Sequence, residues 1–187
     1  MESMKTARSP IALDLDVFAE ATFAEPRKLG GGTYGWRVAG GSTRPGPEHA
    51  WLQRLAGAWA CEGTYTDDSG GAVAFSGSEA VRTLGEFWVV AEAHQEPRGA
   101  GPVMQVTTLG FDPQTERFVA TAIASSSTDI CLYEGTLVGD VLTLIAKGHR
   151  EVITLHSPDH RTHTAYRLVD GKWHEFMTTR HRRCEPR

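Results

Sequence analysis

"GPEHAWLQRLAGAWACEGTYTDD", residues 46–68, changes period half-way along. Its first half places Trp51, Leu52 and Leu55 at i, i+1 and i+4, the spacing of a short amphipathic helix, and Gly57 follows as a natural C-terminal stop. From Trp59 onward the period is two. Trp59, Cys61, Gly63 and Tyr65 fall on one side, and Ala60, Glu62 and Thr64 on the other. One short helix therefore runs almost directly into a strand.

Downstream the alternating pattern recurs at intervals of about ten residues. It predicts strands over 73–82, 87–95, 103–111, 117–125, 130–137, 141–147, 151–156, 161–168 and 172–181. The separators "DDSGG", "TLGE", "EPRGAG", "DPQTE", "VGD", "SPD" and "VDG" are short and rich in Gly, Pro and Asp, as hairpin connections require. Such a run of antiparallel strands makes either a sandwich or a closed barrel. The regular short turns favour the barrel, which leaves no unpaired edge. The expected fold is thus all-β: an antiparallel up-and-down barrel of about ten strands with a short plug helix ahead of it. In that arrangement Gly57 gives the helix a sharp exit, and Trp59 supplies a large flat side chain to close one end.

Upstream, residues 1–47 read as an N-terminal arm, interrupted by "GGG", "GG" and prolines. Ile11, Leu13, Leu15, Val17, Phe18, Phe23, Tyr34 and Trp36 make it too apolar for a merely solvated leader. The expectation is an arm docked on its own barrel or on a second subunit, as in a homodimer. Residues 48–183 then form the barrel and residues 184–187 a basic tail.

The 187 residues suit one sizeable core plus an appendage. A net charge of −4 gives no basic field for nucleic acid, and "RHRRCEPR" reads as a solvated terminus. No stretch approaches the ~20 apolar residues of a membrane helix, and residues 1–30 lack a signal-type apolar run, so neither a membrane partner nor export is expected. The expected location is cytoplasmic. Cys61, Cys131 and Cys184 are odd in number and lack a CxxC, which fits reduced thiols.

The order helix, G-x-W, strand, many hairpins and a late Arg resembles the lipocalin-like, or calycin, barrels. In those proteins the Trp packs beneath an Arg of the final strand, a part the resemblance gives to Arg180 or Arg182. A closer resemblance spans residues 48–183. "EHAWLQRLAGAW", "SEAVRTLGEFWVVAE", "TTLGFDPQTERFVAT", "YEGTLVGDVLTL" and "WHEFMTTRHRR" are similar to successive blocks of the domain family of unknown function 1579. That resemblance implies a lipocalin-like barrel and no particular reaction. "LTLIAKGHREVI" is shorter than the usual segment, and His181 stands where an aromatic is common, so an altered barrel mouth is expected.

In "FWVVAEAHQ", Trp88, Val90, Glu92 and His94 share one face, while Phe87, Val89, Ala91 and Ala93 share the other. The bulk of Trp88 favours the first set as inward. That choice places a carboxylate and an imidazole on an apolar wall, where burial raises a Glu pKa and a nearby His exchanges protons with it. Glu92 and His94, with His163, are therefore the candidate acid–base residues. Trp88, Gln105, Tyr133, Phe176 and Arg180 are candidate ligand contacts. The bland alternative is that Glu92 and His94 face water.

"HSPDHRTH" holds His156, His160 and His163. A two-residue turn at Pro158–Asp159 pairs residue 156 with 161 and 163 with 154, which leaves His156 and His163 only diagonally related. No spacing forces three or four ligands together, so no metal, haem or other cofactor is expected. "ASSSTD" lacks a nucleophile elbow, Cys61 reads as a small buried hydrophobe, and "GGGTYG" lacks the context of a phosphate loop. Two functions remain. One is a cofactor-independent cyclase, isomerase or dehydratase acting on a hydrophobic small molecule; the other is a non-catalytic carrier of such a ligand.

Overall fold

The structure, a computed structural model, describes residues 44–184. The expected docking or dimerisation of the arm, and the end of the basic tail, lie outside the described residues. Helix α1 (Pro47–Gln53) precedes ten strands: β1 (Gly57–Thr66), β2 (Ala72–Leu84), β3 (Trp88–Pro97), β4 (Val103–Asp112), β5 (Arg117–Ala124), β6 (Cys131–Val138), β7 (Val141–Ala146), β8 (His149–Ser157), β9 (His160–Val169) and β10 (Lys172–Arg183). Each strand pairs antiparallel with its sequence neighbour, and β1 closes on β10, so the sheet is an up-and-down barrel without edges.

The closure register places Trp59 opposite Arg183 and Cys61 opposite His181. Because side chains alternate, every residue paired with an inward one also faces inward. Trp59 pairs with Glu79, and Glu79 with Ala93, so that parity is carried from β1 into β3.

One end of the barrel is shut. Trp59, fully buried, packs there with Trp51, Leu52 and Leu55 of the helical segment and with Phe118 and Leu142 of the wall. Burying an indole removes roughly 200 Å² from water, which contributes about 5 kcal/mol. Its Nε1–H donates to the Leu55 carbonyl at 2.9 Å, so the buried ring leaves no orphan donor. The Arg183 guanidinium lies over the ring, 4.2 Å from its centroid, and that of Arg161 4.5 Å from it.

The Arg of the final strand is therefore Arg183, and not Arg180 or Arg182. Those two have the opposite parity, pair with Glu62 and Ala60, and are exposed. Arg183 also donates to the carbonyls of Ala56 at 2.5 Å and Arg54 at 3.0 Å, which covers the end of the helical segment. Its guanidinium occupies the place a Cβ on Gly57 would take, and Gly57 has φ +134°, so glycine is needed there twice over. Across the floor, Asp140 accepts from Trp51 Nε1 at 3.1 Å and from Arg54 at 2.5 Å, tying the helix to the β6–β7 turn.

Candidate functional site

A chamber of about 80 Å³ lies inside the barrel just above this floor. One side is hydrocarbon: Val81 from β2, Val89, Ala91 and Ala93 from β3, and Leu109 from β4. The facing side carries Arg161 and His163 from β9 and Thr179 and His181 from β10, with Glu79 of β2 beside them. Gln105 and Thr107 of β4 complete the wall on the side away from the floor, the Gln105 amide donating to Thr107 Oγ1 at 3.1 Å.

Two polar groups organise the charged side. At the base, Arg161 Nη2 donates to Glu79 Oε2, and His181 Nε2 lies 3.5 Å from the same oxygen. Arg161, His181 and Thr179 are all buried. Burial, with Arg161 alongside, pushes the His181 imidazole down to about 2, so the ring is neutral. Burial, with Arg183 near, also lowers Arg161 to about 10, which leaves it charged at neutral pH. Burial raises the Cys61 thiol, in keeping with an inert side chain.

Higher in the barrel, His163 Nε2 and Glu151 Oε2 are 2.7 Å apart, and Tyr133 Oη lies 3.4 Å from Glu151 Oε1. Burial, reinforced by the Glu151 charge, holds the Tyr133 phenol protonated well above its usual range, so Tyr133 is the donor. An ionised Glu151 only accepts, so His163 donates from Nε2 and its Nδ1 becomes the basic nitrogen. His163 faces the chamber with Glu151 and Tyr133 behind it.

The sequence-predicted residues scatter. His163, Gln105 and Tyr133 lie inside the barrel, the first two on the chamber wall. Glu92 and His94 do not: Glu92 is exposed, 3.9 Å from Arg82, and His94 is half-exposed, 3.9 Å from Glu96. Trp88 is also outside, its ring lying where a Cβ on Gly110 would sit. A glycine on the neighbouring strand makes room for the indole on the outer surface, so its bulk gives no sign of the inner face. The inward set of β3 is Val89, Ala91 and Ala93.

Phe176 sits at a bulge between Glu175 and Met177, edge-on to His149 at 6.2 Å and beneath Arg167 at 4.7 Å, towards the end opposite the floor. Arg180 lines an exterior groove with Glu62, Arg98 and Thr178. The β8–β9 hairpin has its turn at Pro158–Asp159, yet a bulge at His156 pairs His163 with Ile153 rather than Thr154. His156 is thereby exposed and stacks on His160 at 4.8 Å. Among the described residues no three His, Cys, Asp or Glu side chains converge in a way that would hold a metal.

Sequence reasoning missed Glu79, Glu151, Arg161, Thr179 and His181 as site residues. The signal for Arg161 was present, since it lies two residues from His163 and so shares its face. Glu79 and Glu151 become legible only once Trp59 is taken as inward and its parity is followed through the hairpins.

The family described as protein of unknown function (DUF1579) matches residues 44–183. The chain belongs to this family. Among solved structures it is similar to Rv2717c from M. tuberculosis, at 14% identity over 76% of this chain and 100% of that one, with a TM-score of 0.58. It is also similar to the S-type phycobiliprotein lyase CPES from Guillardia theta, at 11% identity over 75% of this chain and 94% of that one, with a TM-score of 0.50. At such identities the likeness is one of fold. No curated protein matches the chain.

Proposed function

We propose that the protein binds a small molecule in the chamber and moves a proton on it, with His163 as the base, Glu151 orienting it and Tyr133 holding Glu151. The observation that carries this reading is the 2.7 Å contact between Glu151 and His163, with the imidazole on the chamber wall. A carboxylate behind an imidazole fixes the tautomer, leaves the second nitrogen free to take a proton, and stabilises the imidazolium that results. His163 Nδ1 takes a proton from one atom of the ligand and returns it to another. That is the proton balance of an isomerisation, a cyclisation or a dehydration, and it needs no cofactor.

The size of the chamber sharpens the expectation. About 80 Å³ is well below the ~300–1,000 Å³ of drug-sized sites. The ligand is accordingly small, or enters with Gln105 and Met177 swung aside, and most of its surface meets hydrocarbon. A non-catalytic carrier remains the second reading, favoured by the many polar atoms on the wall that can hold a ligand without reacting. The fold is shared with a phycobiliprotein lyase, so the architecture does not argue against an enzyme.

Native mass spectrometry of the freshly purified protein identifies a retained molecule, and incubation in D2O then separates the two readings. The enzyme reading expects solvent deuterium to enter the ligand with the native protein, and at least a hundredfold slower with Glu151→Gln or His163→Phe. Retention without exchange, equal in all three proteins, establishes the carrier instead.

A further inference from the structure

Three polar atoms on the base of the chamber have no hydrogen-bond partner among the described residues: Arg161 Nε, Thr179 Oγ1 and His181 Nδ1. The three residues are 5%, 1% and 6% exposed, so bulk water does not serve them. A buried polar atom left unpaired is unfavourable, and here three meet on one wall of a single cavity.

Their chemistry restricts what satisfies them. His181 Nε2 faces the Glu79 carboxylate and carries the ring hydrogen, so Nδ1 offers only a lone pair. Arg161 Nε–H only donates, and the Thr179 hydroxyl does either. The partner must bring both a donor and an acceptor. Thr179 and His181 are two residues apart on one face of β10, about 7 Å along the strand, a span that one small group bridges with a ~3 Å hydrogen bond to each.

Charge restricts it further. Arg161 already shares its charge with Glu79. Arg183, the other cation nearby, is taken up by Asp159 and the carbonyls of Arg54, Ala56 and Pro158 and does not line the chamber. A ligand carboxylate would set a second negative charge against the Arg161 guanidinium in a water-poor site, and an ammonium would meet Arg161 with no free counter-charge. The neutral state of His181 agrees, since an uncharged imidazole keeps its acceptor. Opposite, Val81, Val89, Ala91 and Leu109 accept only hydrocarbon.

We propose that the base of the chamber recognises a neutral hydroxyl or primary amide group, held between Thr179 and His181 with its hydrocarbon part against β2–β4, and rejects carboxylates and ammonium ions. This rests on the chamber being the binding site, and it names the class of molecule that the site takes. It also orients the ligand, with its polar head at the floor and the atoms next to that head beneath His163.

The test uses the full chain, with Thr methyl groups and His rings isotopically labelled, titrated with isobutanol, isobutyramide, isobutyrate and isobutylammonium, which share one branched carbon skeleton. Isobutanol and isobutyramide are expected to shift the Thr179 and His181 signals saturably, and the two ions to bind at least tenfold more weakly. Thr179→Val, nearly equal in shape, and His181→Phe, which refills the ring volume, are each expected to weaken isobutanol about tenfold. Equal or tighter binding of either ion overturns the proposal, as does unchanged isobutanol affinity in both variants. Shifts confined to His163 and the upper wall leave the chamber as a binding site and overturn only the assignment of its base. No shift at any chamber residue with any probe overturns both readings.

Discussion

Strands β3 and β9 each set a histidine two residues from an ionisable neighbour, and they turn these pairs in opposite directions. On β9, Arg161 and His163 face the chamber; on β3, Glu92 and His94 face solvent, while Val89, Ala91 and Ala93 face in. The outward face of β3 is the bulkier one, since Trp88 has Gly110 beside it on β4. Size and polarity along one strand therefore do not fix its inner face. The face is set by pairing: Trp59 opposes Glu79 and Glu79 opposes Ala93, while across the closure Cys61 opposes His181 and His181 opposes Arg161. A barrel imposes one parity on all its strands, and each strand's composition adapts to it.

The contrast can be broken hardest at Arg161. Arg161→Met leaves the Glu79 carboxylate buried without its partner and should cost about 3–5 kcal/mol in urea unfolding. Replacing Glu79 by Leu as well should recover much of that loss. A single variant within about 0.5 kcal/mol of the parent would mean that β9 does not face inward.

On β3 the corresponding inward test is Ala93→Leu. It puts three extra carbon atoms into an 80 Å³ chamber, costs about 1–3 kcal/mol and should abolish binding of the small probes. Unchanged stability and unchanged probe binding together would place Ala93 outside.

His181→Phe addresses pH. The folded pKa of His181, about 2, lies below its ordinary 6.5, so between these values the unfolded chain binds the extra proton. The stability this gives is fully present above about pH 6.5 and is lost as pH falls, by about 1.4 kcal/mol per unit. The titratable groups facing the ring are Glu79, Arg161 and His163, and Cys61 opposite it on β1. The variant should unfold with a slope shallower by one proton between pH 6 and 4, and identical slopes would show that His181 is accessible to protons in the fold.

The smallest effects are expected outside. Glu92→Gln and His94→Ala should each change stability by no more than about 0.5 kcal/mol and leave probe binding alone, since Glu92 is exposed, His94 is half-exposed and neither lines the chamber. A loss of binding in either would restore β3 as part of the site.

The barrel was legible because its signals are local. A period of two needs only neighbouring residues, and a Gly- or Asp-rich turn states its own hairpin. Trp59 was legible for the same reason, placed by the switch of period around Gly57. The Arg that covers it was not: Arg180, Arg182 and Arg183 differ only in parity and in distance along β10, and the closure of β10 on β1 selects Arg183. His163 was recognised as a proton carrier by its type, whereas its partner Glu151 is twelve residues away on β8. A single-residue bulge at His156 lies between them, and it shifts the partner of His163 from Thr154 to Ile153.

By itself, then, the sequence determined the helix, the strands, their order and the tryptophan of the floor, because alternation and turn chemistry act over a few residues. Only the tertiary structure decided which face of β3 is inner, which arginine covers Trp59, and that Glu79, Glu151, Arg161, Thr179 and His181 come to one interior. These depend on register accumulated around ten strands and closed between β1 and β10, where a slip of one residue exchanges the inside for the outside.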